Sequence, residues 1–254
     1  MSERSSLHGL LQARRFEEAI AQSQALLAVD PDDLAATSVL GKAFRSTGNY
    51  LDALSCFERL YADDVARRPG ARSRLIDISV LHWLLGNKSE ATEMMYRACA
   101  DVLNRTSHLT DTAGGVTQGL LLHYMSGELG ASEDEKYALG YINKRVARLE
   151  RILRRRERLN WPAPIGQYIL GEATFDDLFL VVEGRSMEEK FERARLSNTD
   201  SRKLVQILFY GAVAEFKAGS GARAEELLQA CLSFDGPLVV HELYLARELT
   251  SNLR

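Results

Sequence analysis

Apolar residues along Thr37–Leu60, "TSVLGKAFRSTGNYLDALSCFERL", fall at steps of three and four: Leu40 and Phe44, then Ala53, Phe57 and Leu60. Each group is one stripe of an amphipathic helix. Between them the polar stretch Ser46-Thr47-Gly48-Asn49 breaks the period. Gly48 suits the left-handed conformation that ends a helix, so the two helices are expected to fold back on each other. Gly41 and Ala53 are small where such a pair approaches closely, and Tyr50 and Phe57 are large enough to fill the flanks. Upstream, Asp30-Pro31-Asp32-Asp33 stops one helix and starts the next, because proline cannot continue a helix but is tolerated at its start.

The unit repeats. Phe16, Ala19 and Leu26 map onto Tyr50, Ala53 and Leu60 with a shift of 34 residues; Gly48, Ala53 and Phe57 map onto Gly86, Ala91 and Met95 with a shift of 38. A related stretch, "GSGARAEELLQAC", spans Gly219–Cys231. Self-similarity near this period is the signature of a helical repeat array. After Leu103 the pattern blurs. A polar loop is expected over Thr106–Gly115, followed by helices over roughly Val116–Leu129 and Glu133–Leu159, the second carrying Ile142, Val146, Leu149 and Leu153 along one face. Pro162 and Pro164 then mark a boundary.

On these residues the chain resembles the tetratricopeptide repeat (TPR) family. The second repeat carries the family pattern as Leu40, Gly41, Phe44, Gly48, Tyr50, Ala53, Phe57 and Leu60, and departs from it at Val65, where a proline is usual. The first keeps Phe16, Ala19 and Pro31, with Ser23 at an aromatic position; the third keeps Gly86, Ala91 and Ala98, with His82 and Met95 at aromatic positions. Over the last third, Trp161-Pro162-Ala163-Pro164, Leu170-Gly171, Tyr210-Gly211, Gly219, Ala224 and the closing "VVHELYLARELTSNL" resemble bacterial NlpI-type TPR adaptor proteins. The lipid anchor of those adaptors has no match here, so membrane attachment is not implied.

The resemblance implies an all-α fold, a TPR-type solenoid of antiparallel helix pairs. It divides the chain into a TPR array of about three repeats (1–105), a central helix pair with a long basic helix (106–160) and a C-terminal TPR-like helical unit (161–254). It also implies a non-catalytic protein-interaction module, an adaptor, scaffold, or chaperone- or immunity-like binder. In that family the concave wall is lined by first-helix residues beside the packing positions. Transferred to this chain, these are Ala35, Ser38, Lys42, Arg45 and Ser46 in one repeat and Ser73, Ile76, Val80, Trp83 and Leu84 in the next. Ser38, Lys42, Arg45 and Trp83 are the candidate partner-binding residues: two cations beside an apolar wall suit an extended or helical peptide with an acidic end. Trp83 fits the groove or the core equally, since the two differ by one helical step. The Asn and Lys pattern of a carboxylate clamp for chaperone tails is absent.

Composition narrows the alternatives. The 254 residues are 46% hydrophobic and 26% charged, a globular balance, and the net charge of −3 disfavours a generic polyanion binder. Cys56, Cys99 and Cys231 are far apart and expected to be reduced, in a cytoplasmic setting. No run of 18 apolar residues is present, and the amino-terminal stretch has neither a signal-peptide core nor a lipidation cysteine. The basic run Lys144–Leu159 raises a second reading, a nucleic-acid-associated regulator using residues 144–158. It interleaves no aromatic residue, and Glu150 and Glu157 offer pairing at helical spacing, so a solvated helix face accounts for it and specific nucleic-acid binding is not expected.

Reactive motifs are lacking. Gly219 and Gly221 have no phosphate-loop context, and His241 has no second histidine at zinc spacing. His8, His108 and His123 are scattered, and His82 lies in an apolar stripe. Asp176-Asp177 and Glu188-Glu189 are adjacent pairs that point to different sides of a helix. No catalytic residue, metal or cofactor is therefore expected. The expected partner is a protein or peptide, an acidic one included, with no membrane.

Overall fold

The computed structural model describes residues 3–67, 74–104, 115–152, 159–180, 182, 198–234 and 240–252. Its regular elements are α1 (Glu3–Gln12), α2 (Phe16–Val29), α3 (Leu34–Thr47), α4 (Tyr50–Arg67), α5 (Arg74–Leu84), α6 (Lys88–Leu103), α7 (Val116–Glu128), α8 (Ser132–Ile152), α9 (Ala163–Ile169), α10 (Phe175–Leu180), α11 (Asn198–Lys217), α12 (Gly221–Ser233) and α13 (His241–Asn252). No strand occurs among the described residues, so the fold is all-α. The expected loop Thr106–Gly115 lies, but for Gly115, outside the described residues. So do Ser73, His108, Leu153, Arg154–Arg156, Glu157 and Glu188-Glu189.

The chain forms two compact units: Met1–Met94 with Asn104–His108, and Met95–Leu103 with Leu109–Arg254. In the first unit, α2, α3, α4 and α5 pack in succession. Asp33 caps α3, its carboxylate accepting from the backbone N–H of Ala35 and Ala36 at 2.9 and 3.0 Å. Such a cap is worth about 1 kcal/mol. Gly48 ends α3 at φ 85°, and the N–H of Gly48 and Asn49 return to the carbonyls of Arg45 and Phe44. This is a Schellman turn, and Asn49 already accepts from Ala53 of the next helix, so the chain reverses within two residues.

The same hydrogen-bond pattern recurs at Arg14, Gly86, Gly130 and Gly219, joining α1 to α2, α5 to α6, α7 to α8 and α11 to α12. All four take positive φ; Arg14, at 60°, does so without being a glycine. The hairpin therefore continues past Leu103, where the sequence pattern blurs.

Counting from the turn aligns the hairpins. Five residues after it stand Ala19, Ala53, Ala91 and Ala224, each without exposed surface, and in the α7–α8 hairpin Glu135. Seven before it stand Leu7, Gly41, Ser79 and Ala212, and in the α7–α8 hairpin His123. In α3, a Cβ on Gly41 would come within 2.9 Å of Cys56 Cβ and 3.3 Å of the Phe57 ring. In the next hairpin, Ser79 Oγ donates to the Ala91 carbonyl at 2.7 Å. The small residues thus mark real close approaches between paired helices. In α7 the closest approach lies one turn farther from the loop: a Cβ on Gly119 would meet Tyr141 at 2.6 Å and Ile142 at 2.8 Å.

Ala53, Phe57, Leu60, Ile78 and Leu81 form the core between α4 and α5, flanked by Phe44 and Tyr50. In the second unit, Tyr124 of α7 meets Phe209 of α11 edge to face at 5.0 Å. Cys56, Cys99 and Cys231 are free thiols; burial pushes that of Cys56 up to about 11 and that of Cys231 to about 12, which keeps both protonated and unreactive near neutral pH.

Candidate protein-binding face

The candidate face is built on α3. Its inward stripe, Ala36, Val39, Leu40 and Ala43, is buried. One step round the helix, Ala35 is exposed and Ser38, Lys42 and Ser46 are partly exposed. Ser46 is tied down by its own helix, Oγ donating to the Lys42 carbonyl at 2.9 Å. The accessible strip is therefore narrow, made of small side chains, with one cation.

Two of the four candidate residues lie elsewhere than on an open wall. The side chain of Arg45 is 0% exposed: Nη1 donates to Asp77 Oδ1 of α5 at 2.7 Å, and the guanidinium lies 5.4 Å from the Phe57 ring centroid. Its charge is paired inside the first unit through Nη1, while Nε and Nη2 are buried with no hydrogen-bond partner among the described residues, and the pair ties α3 to the next hairpin. Trp83 is 1% exposed, with Lys88 Nζ 4.7 Å from its ring centroid. Of the two placements open to Trp83, the structure takes the core. Ile76 and Val80 are buried with it. For Arg45 the physical reason is that a residue one helical step from the packing stripe is drawn in when the next hairpin offers it a counter-charge. Ser38 and Lys42 remain as the accessible pair.

His82, in the apolar stripe as expected, is buried, with Nδ1 at 3.4 Å from Asn87 Nδ2 and 3.5 Å from Glu90. The described part of the basic run splits: Arg145 is buried, whereas Lys144, Arg148 and Arg151 reach solvent. Glu150 accepts from Gln167 Nε2 at 3.0 Å, a partner in α9 that its neighbours in sequence do not suggest.

Two polar clusters in the second unit carry no sequence motif. In one, Trp161 Nε1 donates to Gln206 Oε1 at 2.6 Å, and Gln206 Nε2 donates to Glu242 Oε1 at 2.9 Å. Tyr210 OH lies 3.3 Å from the same oxygen. Burial raises the Glu242 carboxyl above its ordinary range, against the hydrogen bonds from Gln206 and Tyr210 that favour its charge. The chain of hydrogen bonds ties α13 to α11 and to the start of α9. In the other cluster, Lys217 Nζ lies 3.0 Å from His123 Nε2 and pairs with Glu135, whose Oε1 is 3.6 Å from His123 Nδ1. The register holds a signal for this second cluster, since Glu135 stands where the other hairpins have alanine. Among the described residues, no group of His, Cys, Asp and Glu is arranged to hold a metal ion, and no helix is long and apolar enough to cross a membrane.

No protein-family model and no curated protein matches the sequence. Among solved structures, the chain is similar to a tetratricopeptide repeat protein from Parabacteroides merdae, at 12% identity and a TM-score of 0.48, over 96% of this chain and 82% of that one.

Proposed function

We propose that the protein is a non-catalytic protein–protein interaction module, an adaptor or scaffold that takes a peptide segment of its partner against the first-helix face of the first unit. The observation that carries this reading is the strip on α3. Ala35, Ser38 and Lys42 run beside a fully packed stripe, and small side chains there leave room for an incoming segment to approach the helix. Lys42 is the partly exposed cation of the strip, and a positive charge there favours an acidic group on the partner.

The test is site-specific photo-cross-linking in the source cell. A photoreactive residue at Ser38 is compared with one at exposed Glu58 on α4. One protein is expected to dominate the Ser38 adducts, identified by mass spectrometry, and to be missing at Glu58. Equal labelling at both positions contradicts the proposal. Recovery of RNA or DNA with the chain, lost when Lys144, Arg148 and Arg151 are changed to Glu, favours the nucleic-acid reading instead.

A further inference from the structure

The crossing position of the α7–α8 hairpin departs from its counterparts. Elsewhere the second helix carries alanine there; here it carries Glu135, opposite His123. The closest approach of α7 and α8 is displaced one turn from the loop, at Gly119, and Lys217 reaches the loop end from the last turn of α11. Gly127 accommodates it: a Cβ there would stand 3.1 Å from Lys217 Cε and Nζ. Lys217, from α11, and Glu135, from α8, are the charged groups that face His123.

We propose that His123, Lys217 and Glu135 form a proton-released latch: while His123 is neutral the last turn of α11 is clamped to the loop end of the α7–α8 hairpin, and proton uptake by His123 frees it. An ammonium has no acceptor capacity, so the 3.0 Å contact requires a lone pair on His123 Nε2. That places the ring proton on Nδ1, toward Glu135 at 3.6 Å. A second proton on the ring would set two cations at hydrogen-bond distance with most of the imidazole out of water, and the more exposed partner, Lys217, is the one that can leave. Burial first, then the Lys217 ammonium, lower His123 from 6.5 to about 4, opposed by Glu135. Release is local, because the buried Tyr124–Phe209 contact still holds α11 farther back. What is freed is the exposed turn Ala218–Ser220.

The experiment is an NMR titration of the full chain, following the His123 ring nitrogens together with exchange protection of the Ala218 and Ser220 amides, which close α11 on Ala214 and Glu215. The expected result is an Nδ1–H tautomer at pH 7. Protection of both amides should fall at least several-fold as His123 protonates, and the fall should be absent in His123→Gln, which keeps an acceptor and does not titrate. An Nε2–H tautomer in the unmodified protein overturns the proposal. So does protection that stays flat while His123 titrates, or an equal fall in His123→Gln, which would assign the event to Glu135.

Discussion

Trp83 and Arg45 show how much a single helical step decides. Both stand at positions that line a groove in the family this chain resembles, and both are buried here. Trp83→Ala is therefore expected to lower stability by roughly 3–5 kcal/mol, seen as a drop in melting temperature with or without any partner. Asp77→Ala should cost about 3 kcal/mol by stranding a buried guanidinium, a loss that denaturant titration reads directly. A stable Trp83→Ala variant would return that residue to the surface. His123 adds a pH dependence. Its folded-state value, about 4, is lower than its ordinary 6.5, so its contribution to stability is complete above 6.5 and is lost as pH falls toward 4. The loss is up to roughly 3 kcal/mol at ~1.4 kcal/mol per unit, and His123→Gln should flatten that part of the stability–pH curve.

The hairpin is the most legible element. Its apolar spacing, turn glycine and small crossing residues are all properties of adjacent sequence, so Gly41, Gly48 and Ala53 can be assigned from neighbours alone, and the structure places each as the pattern implies. Past Leu103 the aromatic positions change and the pattern fades, yet the Schellman turn at Gly130 persists, because it needs only one residue at positive φ and two backbone hydrogen bonds. Tertiary ties are illegible: Arg45 with Asp77, Glu150 with Gln167 and Lys217 with His123 join residues far apart in the chain, and no local period encodes them. The turns also make a prediction. Arg14 occupies the left-handed position that glycine fills in the other hairpins. Arg14→Gly is expected to stabilise the protein by about 0.5–1 kcal/mol, while Gly48→Ala should destabilise it by at least as much, both measured by thermal unfolding.

At the scale of the molecule, the same hairpin turn recurs in both units. α3 buries one stripe and leaves the neighbouring stripe partly exposed, whereas α5 and α7 are buried almost all round. The α3 and α8 strips differ in chemistry. The α3 strip is small and weakly basic; the α8 strip of Lys144, Arg148 and Arg151 is strongly basic and lacks stacking groups. A nucleic-acid complex on the latter should dissolve at moderate salt, because few phosphates are neutralised at once. The central claim is that α3 carries the partner. Lys42→Glu tests it most directly, with melting temperature and affinity for the Ser38-cross-linked protein measured on the same preparation. The expected result is a melting temperature within a few degrees of the parent and an affinity weakened by roughly 0.5–2 kcal/mol, the loss shrinking as salt is raised. Unchanged affinity at low salt, in a folded Lys42→Glu protein, would contradict it.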